Sequence, residues 1–241
     1  MNTDTLRPVR AEDRLIVAAD VPDEKGLEKL LATLVGRVHW IKIGAELFTA
    51  LGPAAVWYCK QAGLKVFLDL KFHDIPRTVG AAVKSALAWE VDMLTVHASG
   101  GPEMIAAARE AALGAARPPL VIAVTVLTSL DDRQLHRIGF GSDTAATVER
   151  LAGLALEAGA DGLVCSAREI SRLRAAVGKK PLLVVPGIRP AGEDKGDQAR
   201  VATPGEAAAA GADFLVVGRP ICAAPDPAAA LDSILRQIPT S

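Results

Sequence analysis

Aspartate and lysine alternate with apolar residues at the end of a very apolar run, Val66-Phe67-Leu68-Asp69-Leu70-Lys71, which continues into Phe72-His73-Asp74-Ile75-Pro76. Successive residues of a strand point to opposite faces, so Asp69 and Lys71 are expected on one face, about 7 Å apart along the chain. An ionised acid and base inside an apolar element are costly unless each offsets the other, and such pairs concentrate where proton transfer or charge stabilisation is needed. A fixed ammonium can donate a proton or stabilise a developing negative charge.

The elements that must position this pair are short apolar runs: 14–20, 38–44, 65–71, 92–97, 120–126, 162–165, 182–186 and 214–218. The segments between them have helical patterning with clear start signals. Ser166-Ala167-Arg168-Glu169 and Thr203-Pro204-Gly205-Glu206 read as capping boxes. Pro76, Pro102, Pro204 and Pro227 stand where a first helical turn would begin. Strands apolar on both faces and separated by helices imply a parallel sheet covered by helices. Eight evenly spaced units in 241 residues favour a single (β/α)8 TIM barrel over an open doubly wound sheet. Residues 1–12 read as a loose tail and 13–241 as one catalytic barrel. Two connections, from Thr128 to about Asp143 (with a helical turn near 131–137) and from Ile188 to Ala202, are long for this architecture. Both follow strands, so they are expected on the catalytic face as lids, or as plain surface insertions.

In a barrel the site forms at the C-terminal strand ends. Those ends carry Asp20, Lys42, Asp69 and Lys71, His97, Thr128, Arg189 and Gly218-Arg219. Neighbouring parallel strands lie about 4.8 Å apart, so Lys42, Asp69 and Lys71 can meet in the mouth. At about 4 Å and an effective dielectric of 20, opposite charges attract by about 4 kcal/mol, enough to keep both lysines protonated and the carboxylates ionised. The competing reading is an ion-pair network that merely closes the barrel; Asp20 or Lys42 alone would be unremarkable polar strand ends. Val185-Pro186-Gly187-Ile188-Arg189 and Val217-Gly218-Arg219-Pro220-Ile221 suit a phosphate, with glycines that admit it to backbone N–H groups and arginines that grip it. A bare Gly-Arg could equally be a helix start; two on adjacent strands favour the anion site. His97 reads equally as a site residue or a hydrogen-bonded core histidine.

Half the residues are hydrophobic and the net charge is −1, which argues against nucleic acid or a membrane surface as partner. No apolar stretch approaches the roughly 18 residues of a membrane span, and the polar N-terminus lacks a leader's apolar core. Cys59, Cys165 and Cys222 are odd in number and far apart, which points to buried, inert thiols and a reducing cytoplasm. No nucleotide-cofactor fingerprint, zinc motif or serine-hydrolase elbow occurs.

The run Asp69-Leu70-Lys71-Phe72-His73-Asp74-Ile75-Pro76-Arg77-Thr78 resembles the D-x-K-x-x-D-I-P-x-T signature of the bacterial orotidine 5′-phosphate decarboxylases. The resemblance extends from Ala19-Asp20 and Lys42-Ile43-Gly44 through Thr125-Val126-Leu127-Thr128-Ser129 to Pro186–Arg189, Asp197-Gln198 and Val217–Ile221. It implies cofactor-independent decarboxylation of orotidine 5′-monophosphate to UMP in pyrimidine biosynthesis. It further implies a homodimer with shared sites, in which Lys42, Asp69, Lys71 and Asp74 form one charged array and Asp74, Ile75 and Thr78 reach into the partner's site. Lys71 would be the proton donor to C6. By the same resemblance Asp20 and Lys42 hold the ribose, Thr128 the base, and Arg189, Gln198, Gly218 and Arg219 the phosphate. A metal-dependent sugar-phosphate decarboxylase or aldolase, and a non-catalytic barrel that binds a phosphorylated metabolite, are the alternatives.

Overall fold

The computed structural model describes residues 7–141, 143–190 and 202–239. Its centre is a closed barrel of eight parallel strands in sequence order: β1 (Leu15–Ala18), β2 (Trp40–Gly44), β3 (Lys65–Phe72), β4 (Met93–His97), β5 (Leu120–Val124), β6 (Gly162–Val164), β7 (Leu182–Val185) and β8 (Phe214–Val217). Each falls within or next to an apolar run expected to be a strand, and β8 closes on β1 through Leu15 opposite Leu215. The start signals act as expected. Pro76, Pro102, Pro204 and Pro227 open helices. The capping box at Thr203 forms in both directions. At Ser166 the Glu169 carboxylate accepts the Ser166 N–H at 2.7 Å, while the Ser166 hydroxyl is buried without a partner among the described residues. The connection after β5 contains the helix Asp132–Arg137, begun by a further capping box between Asp131 and Gln134.

Strand alternation divides the core in two. Val17, Ile41, Val66, Leu68, Leu94 and Val96 pack outward against the helices. Ile16, Trp40, Phe67, Met93, Phe214 and Val216 fill the barrel interior. Trp40 and Phe214 meet edge to face with centroids 5.4 Å apart, and each fully buried large side chain of this kind contributes roughly 1.5–3 kcal/mol. This apolar plug fills the lower barrel. Two residues further along the same strands stand Lys42 after Trp40, Asp69 after Phe67, and Thr95 after Met93, so polarity begins where the plug ends.

The opposite, N-terminal face repeats one device. Asp92, Asp161 and Asp213 each precede an even-numbered strand. Each accepts the N–H of a residue at the start of the strand before it: Val66 at 2.8 Å, Val121 at 2.9 Å and Leu183 at 2.7 Å. Each also pairs with a cation from the preceding helix layer: Lys60 at 2.9 Å, Arg109 at 2.9 Å and Arg174 at 2.6 Å. Arg7, inside the segment expected to be a loose tail, also pairs with Asp213 at 2.9 Å, and Ala11–Arg14 form a short helix. Residues at this end of a barrel serve stability. Among the described residues no helix is long and apolar enough to cross a membrane. The cysteines are free, Cys59 and Cys165 buried and Cys222 partly so. Burial pushes the Cys59 thiol up to about 12 and Cys222 to about 11.

Replacing Asp213 by Ala strands the buried Leu183 N–H and leaves the partly buried Arg174 and Arg7 without their shared carboxylate. The expected loss is about 3 kcal/mol in urea unfolding, because removing one partner of a buried pair leaves the other uncompensated. A loss near zero would mean that the device contributes no more than an exposed ion pair.

Candidate active site

At the C-terminal strand ends lies a cavity of about 640 Å³, walled in part by Asp20, Lys42, Asp69, Lys71, Thr128, Arg189, Gly218 and Arg219. That volume is in the range of small-molecule sites. A larger cavity of about 1060 Å³, between Arg7, Trp40, Lys65 and Arg117, opens among the residues of the N-terminal face, away from these groups.

Asp69 is the centre of the site. Both its carboxylate oxygens lie 2.9 Å from Lys71 Nζ, and Oδ2 lies 3.4 Å from Lys42 Nζ. The Asp69 side chain is 11% exposed against 36% for Lys71, so the lysine is the more accessible member of the pair. Burial pushes the Asp69 carboxyl up, but Lys42, Lys71 and the hydrogen bonds from Lys71 and Thr95 together outweigh it and hold it below the ordinary carboxylate value.

Simple alternation does not bring Asp69 and Lys71 together in this way. The pairing of β3 with β4 advances from Leu68 opposite Leu94 to Phe72 opposite Val96, so β3 spends four residues where β4 spends two. The bulge carries Lys71 into left-handed backbone at φ 51°, a conformation that costs a lysine on the order of 1–3 kcal/mol and that clusters at functional sites. The lysine side chain therefore turns back onto Asp69 instead of standing beside it at strand spacing.

Two groups at the site were not among those singled out from the sequence. Thr95, fully buried, accepts the Lys71 backbone N–H at 2.9 Å and donates to Asp69 Oδ1 at 3.0 Å. Its signal was a hydroxyl at an inward position of the apolar strand Met93-Leu94-Thr95-Val96-His97. Glu46, in the first turn of the helix after β2, also lines the cavity. His97 stacks obliquely on His73 with ring centroids 5.1 Å apart; burial, then His73 and Lys71, lower its pKa against the opposing pull of Asp69.

Across the cavity from this array, Gly187 turns the chain at φ 75°, and Gly218 precedes the four-residue helix Arg219–Cys222. A Cβ on Gly218 would sit 2.1 Å from Asp20 Oδ2, so the glycine makes room for that carboxylate. Ile188 and Ala202 bridge as parallel backbone, with the Arg189 N–H donating to Ala202 O at 3.0 Å. The lid expected between them, with Gln198, lies outside the described residues. Asp74 and Ile75 are exposed, Asp74 accepting the Ile75 N–H at 2.6 Å. Neither they nor Thr78 belong to the cavity wall described above. Among the described residues no group of three or more His, Cys, Asp or Glu side chains is arranged to hold a metal ion.

The sequence pattern of the Orotidine 5′-phosphate decarboxylase / HUMPS family matches residues 13–234. The orotidine 5′-phosphate decarboxylase of Anaeromyxobacter dehalogenans is 53% identical over 226 residues, covering 94% of this chain and 98% of that one. The protein of the same name from Moorella thermoacetica is 51% identical over 236 residues, covering 95% and 94%. Among solved structures, the orotidine 5′-phosphate decarboxylase of Lactobacillus acidophilus superposes with a TM-score of 0.81 at 38% identity, covering 96% of this chain and 98% of that one.

The depressed Asp69 pKa has a consequence for stability. As pH falls, the unfolded chain takes up this proton first, near the ordinary 3.8. The stabilisation is therefore complete above that value and is lost as pH drops through the lower folded-state value. Urea midpoints followed from pH 6 towards pH 3 should fall less steeply for Asp69→Asn than for the parent at the acid end; parallel curves would contradict the assignment.

Proposed function

Because the chain belongs to the orotidine 5′-phosphate decarboxylase / HUMPS family, we propose that it converts orotidine 5′-monophosphate to UMP and CO2, in pyrimidine biosynthesis, without metal or cofactor. One observation carries this reading: a Lys42–Asp69–Lys71 array in the same cavity as the glycines and arginines that follow β7 and β8.

The proposed chemistry needs no further reactant. The bond between C6 of the pyrimidine and its carboxylate breaks, and its electron pair stays on C6. The Lys71 ammonium stabilises that charge and then transfers a proton to C6, and the neutral amine regains a proton from water. Asp69, held ionised by Lys42 and Lys71, faces the substrate carboxylate; their repulsion is relieved as CO2 leaves. Asp20 and Lys42 take the ribose hydroxyls and Thr128 the base. Arg189, Gln198, Gly218 and Arg219 take the phosphate, whose binding energy is remote from C6 and is available for positioning.

The working unit in this reading is a homodimer in which Asp74, Ile75 and Thr78 complete the site of the neighbouring subunit. The exposure of Asp74 and Ile75, the latter 60% exposed, and their position off the cavity wall support it. We assign the enzyme to the cytoplasm, a reading that the free cysteines support.

Orotidine 5′-monophosphate incubated with the protein and a chelator should yield UMP; no conversion by folded protein would overturn the proposal, and loss of conversion only on chelation would favour a metal-dependent enzyme. Lys71→Ala should lower kcat by a factor on the order of 10⁴ or more while UMP still binds within about tenfold of the parent. The shared site has its own test. Lys71→Ala and Asp74→Ala proteins, each inactive alone, should regain activity when dissociated and mixed, to about one intact site in four for random pairing of subunits. Mixtures that stay inactive while exchanging subunits would show that each chain completes its own site.

A further inference from the structure

The bulge in β3 creates a need that the charged array does not itself meet. Lys71 is a non-glycine residue in left-handed backbone, and its N–H has left the regular ladder between β3 and β4. That N–H donates to the Thr95 hydroxyl at 2.9 Å. The donor polarity is thereby forced. The hydroxyl oxygen accepts from Lys71, so its own proton is directed to Asp69 Oδ1, 3.0 Å away, which as an ionised carboxylate can only accept. One buried hydroxyl therefore joins the backbone of the lysine to the carboxylate that its ammonium touches.

We propose that Thr95 is a positioning residue, which fixes the left-handed turn at Lys71 and the orientation of Asp69 as one unit, so that the ammonium stands at a single place in the cavity. This rests on the decarboxylation reading for its effect on rate, but not for its effect on the array. Three features of the site argue for it. Thr95 is fully buried, so water cannot replace its hydroxyl. It stands one inward position above Met93, at the boundary between the apolar plug and the charges. The other described groups that hold Asp69 are cationic side chains with several rotatable bonds, whereas a β-branched threonine has a restricted χ1 and sets a direction. Misplacement of a reacting group by about 1 Å costs on the order of 100-fold in rate.

The test compares Thr95→Val, which keeps the shape and removes the hydroxyl, with Thr95→Ser, which keeps the hydroxyl. With orotidine 5′-monophosphate, Thr95→Val should lose kcat by about tenfold to a hundredfold, with KM and UMP binding within about threefold, because the lost interaction acts on the reacting groups rather than on uniform binding. Thr95→Ser should recover most of the rate. A second measurement does not depend on turnover: ¹³C NMR titration of the Asp69 carboxyl in the free protein. Losing a hydrogen bond to the charged form raises a carboxyl pKa, so the titration should move up in Thr95→Val and return in Thr95→Ser. The other titratable groups facing Asp69 (Lys42 on β2, Lys71 on β3 and His97 at the end of β4) are unchanged in both variants. An unmoved titration in Thr95→Val overturns the proposal, as does a rate loss that Thr95→Ser fails to recover. If the parent protein itself fails to decarboxylate the substrate, the function proposed above fails, while the carboxyl titration still decides the role of Thr95.

Discussion

A carboxylate that must stay ionised inside a barrel constrains everything around it. Asp69 sits one inward layer above Phe67, where burial works against its charge. Two cations and a hydroxyl reverse that preference, and they come from three strands: Lys42 from β2, Lys71 from β3 and Thr95 from β4. The contacts of Lys42 and Thr95 cross between strands, and the one within β3 is shaped by the bulge against β4. The array is therefore a product of closure: the parallel register that sets Gly44 opposite Asp69 brings Lys42 within reach, and the bulge against β4 turns Lys71 inward.

The two ends of the barrel use charge differently. At the N-terminal end, Asp92, Asp161 and Asp213 each hold a strand-end N–H and a helix cation, so each of these carboxylates is committed to fixed partners. At the C-terminal end Asp69 is shared between two ammonium groups, of which Lys71 is the more exposed. The apolar layer of Trp40, Phe67, Met93 and Phe214 separates these regions. A bulge with a left-handed lysine is a local cost that the surrounding sheet sustains, and the hydrogen bond from Lys71 N–H to Thr95 is part of how it does so.

Much of this was legible in the order of residues. Eight apolar runs, prolines at first turns and the reciprocal cap at Thr203 are local signals, set by side-chain burial and backbone hydrogen bonding within a few positions, and each appears in the structure, with the Glu169 half of the cap at Ser166. Strand-end polarity also marked out Asp20, Lys42, Asp69, Lys71, Thr128, Arg189, Gly218 and Arg219, which all line one cavity. Thr95 carries no such mark, because a single hydroxyl in an apolar strand looks like an ordinary β-branched residue until its neighbours on β3 are known. The contact geometry of Asp69 and Lys71 was likewise hidden, since period-two alternation assumes a regular strand and the bulge breaks it.

The amino-acid sequence by itself determined the fold class, the starts of several helices and the inventory of chemical groups, because propensity, capping and burial pattern act over short distances. Only the tertiary structure decided which groups touch. The slip of β3 against β4, the left-handed turn at Lys71, the hydroxyl bridge from Thr95 and the clearance that Gly218 leaves for Asp20 all depend on pairs of residues far apart in the chain. Their approach is set by strand register and barrel closure, which no local window of sequence contains.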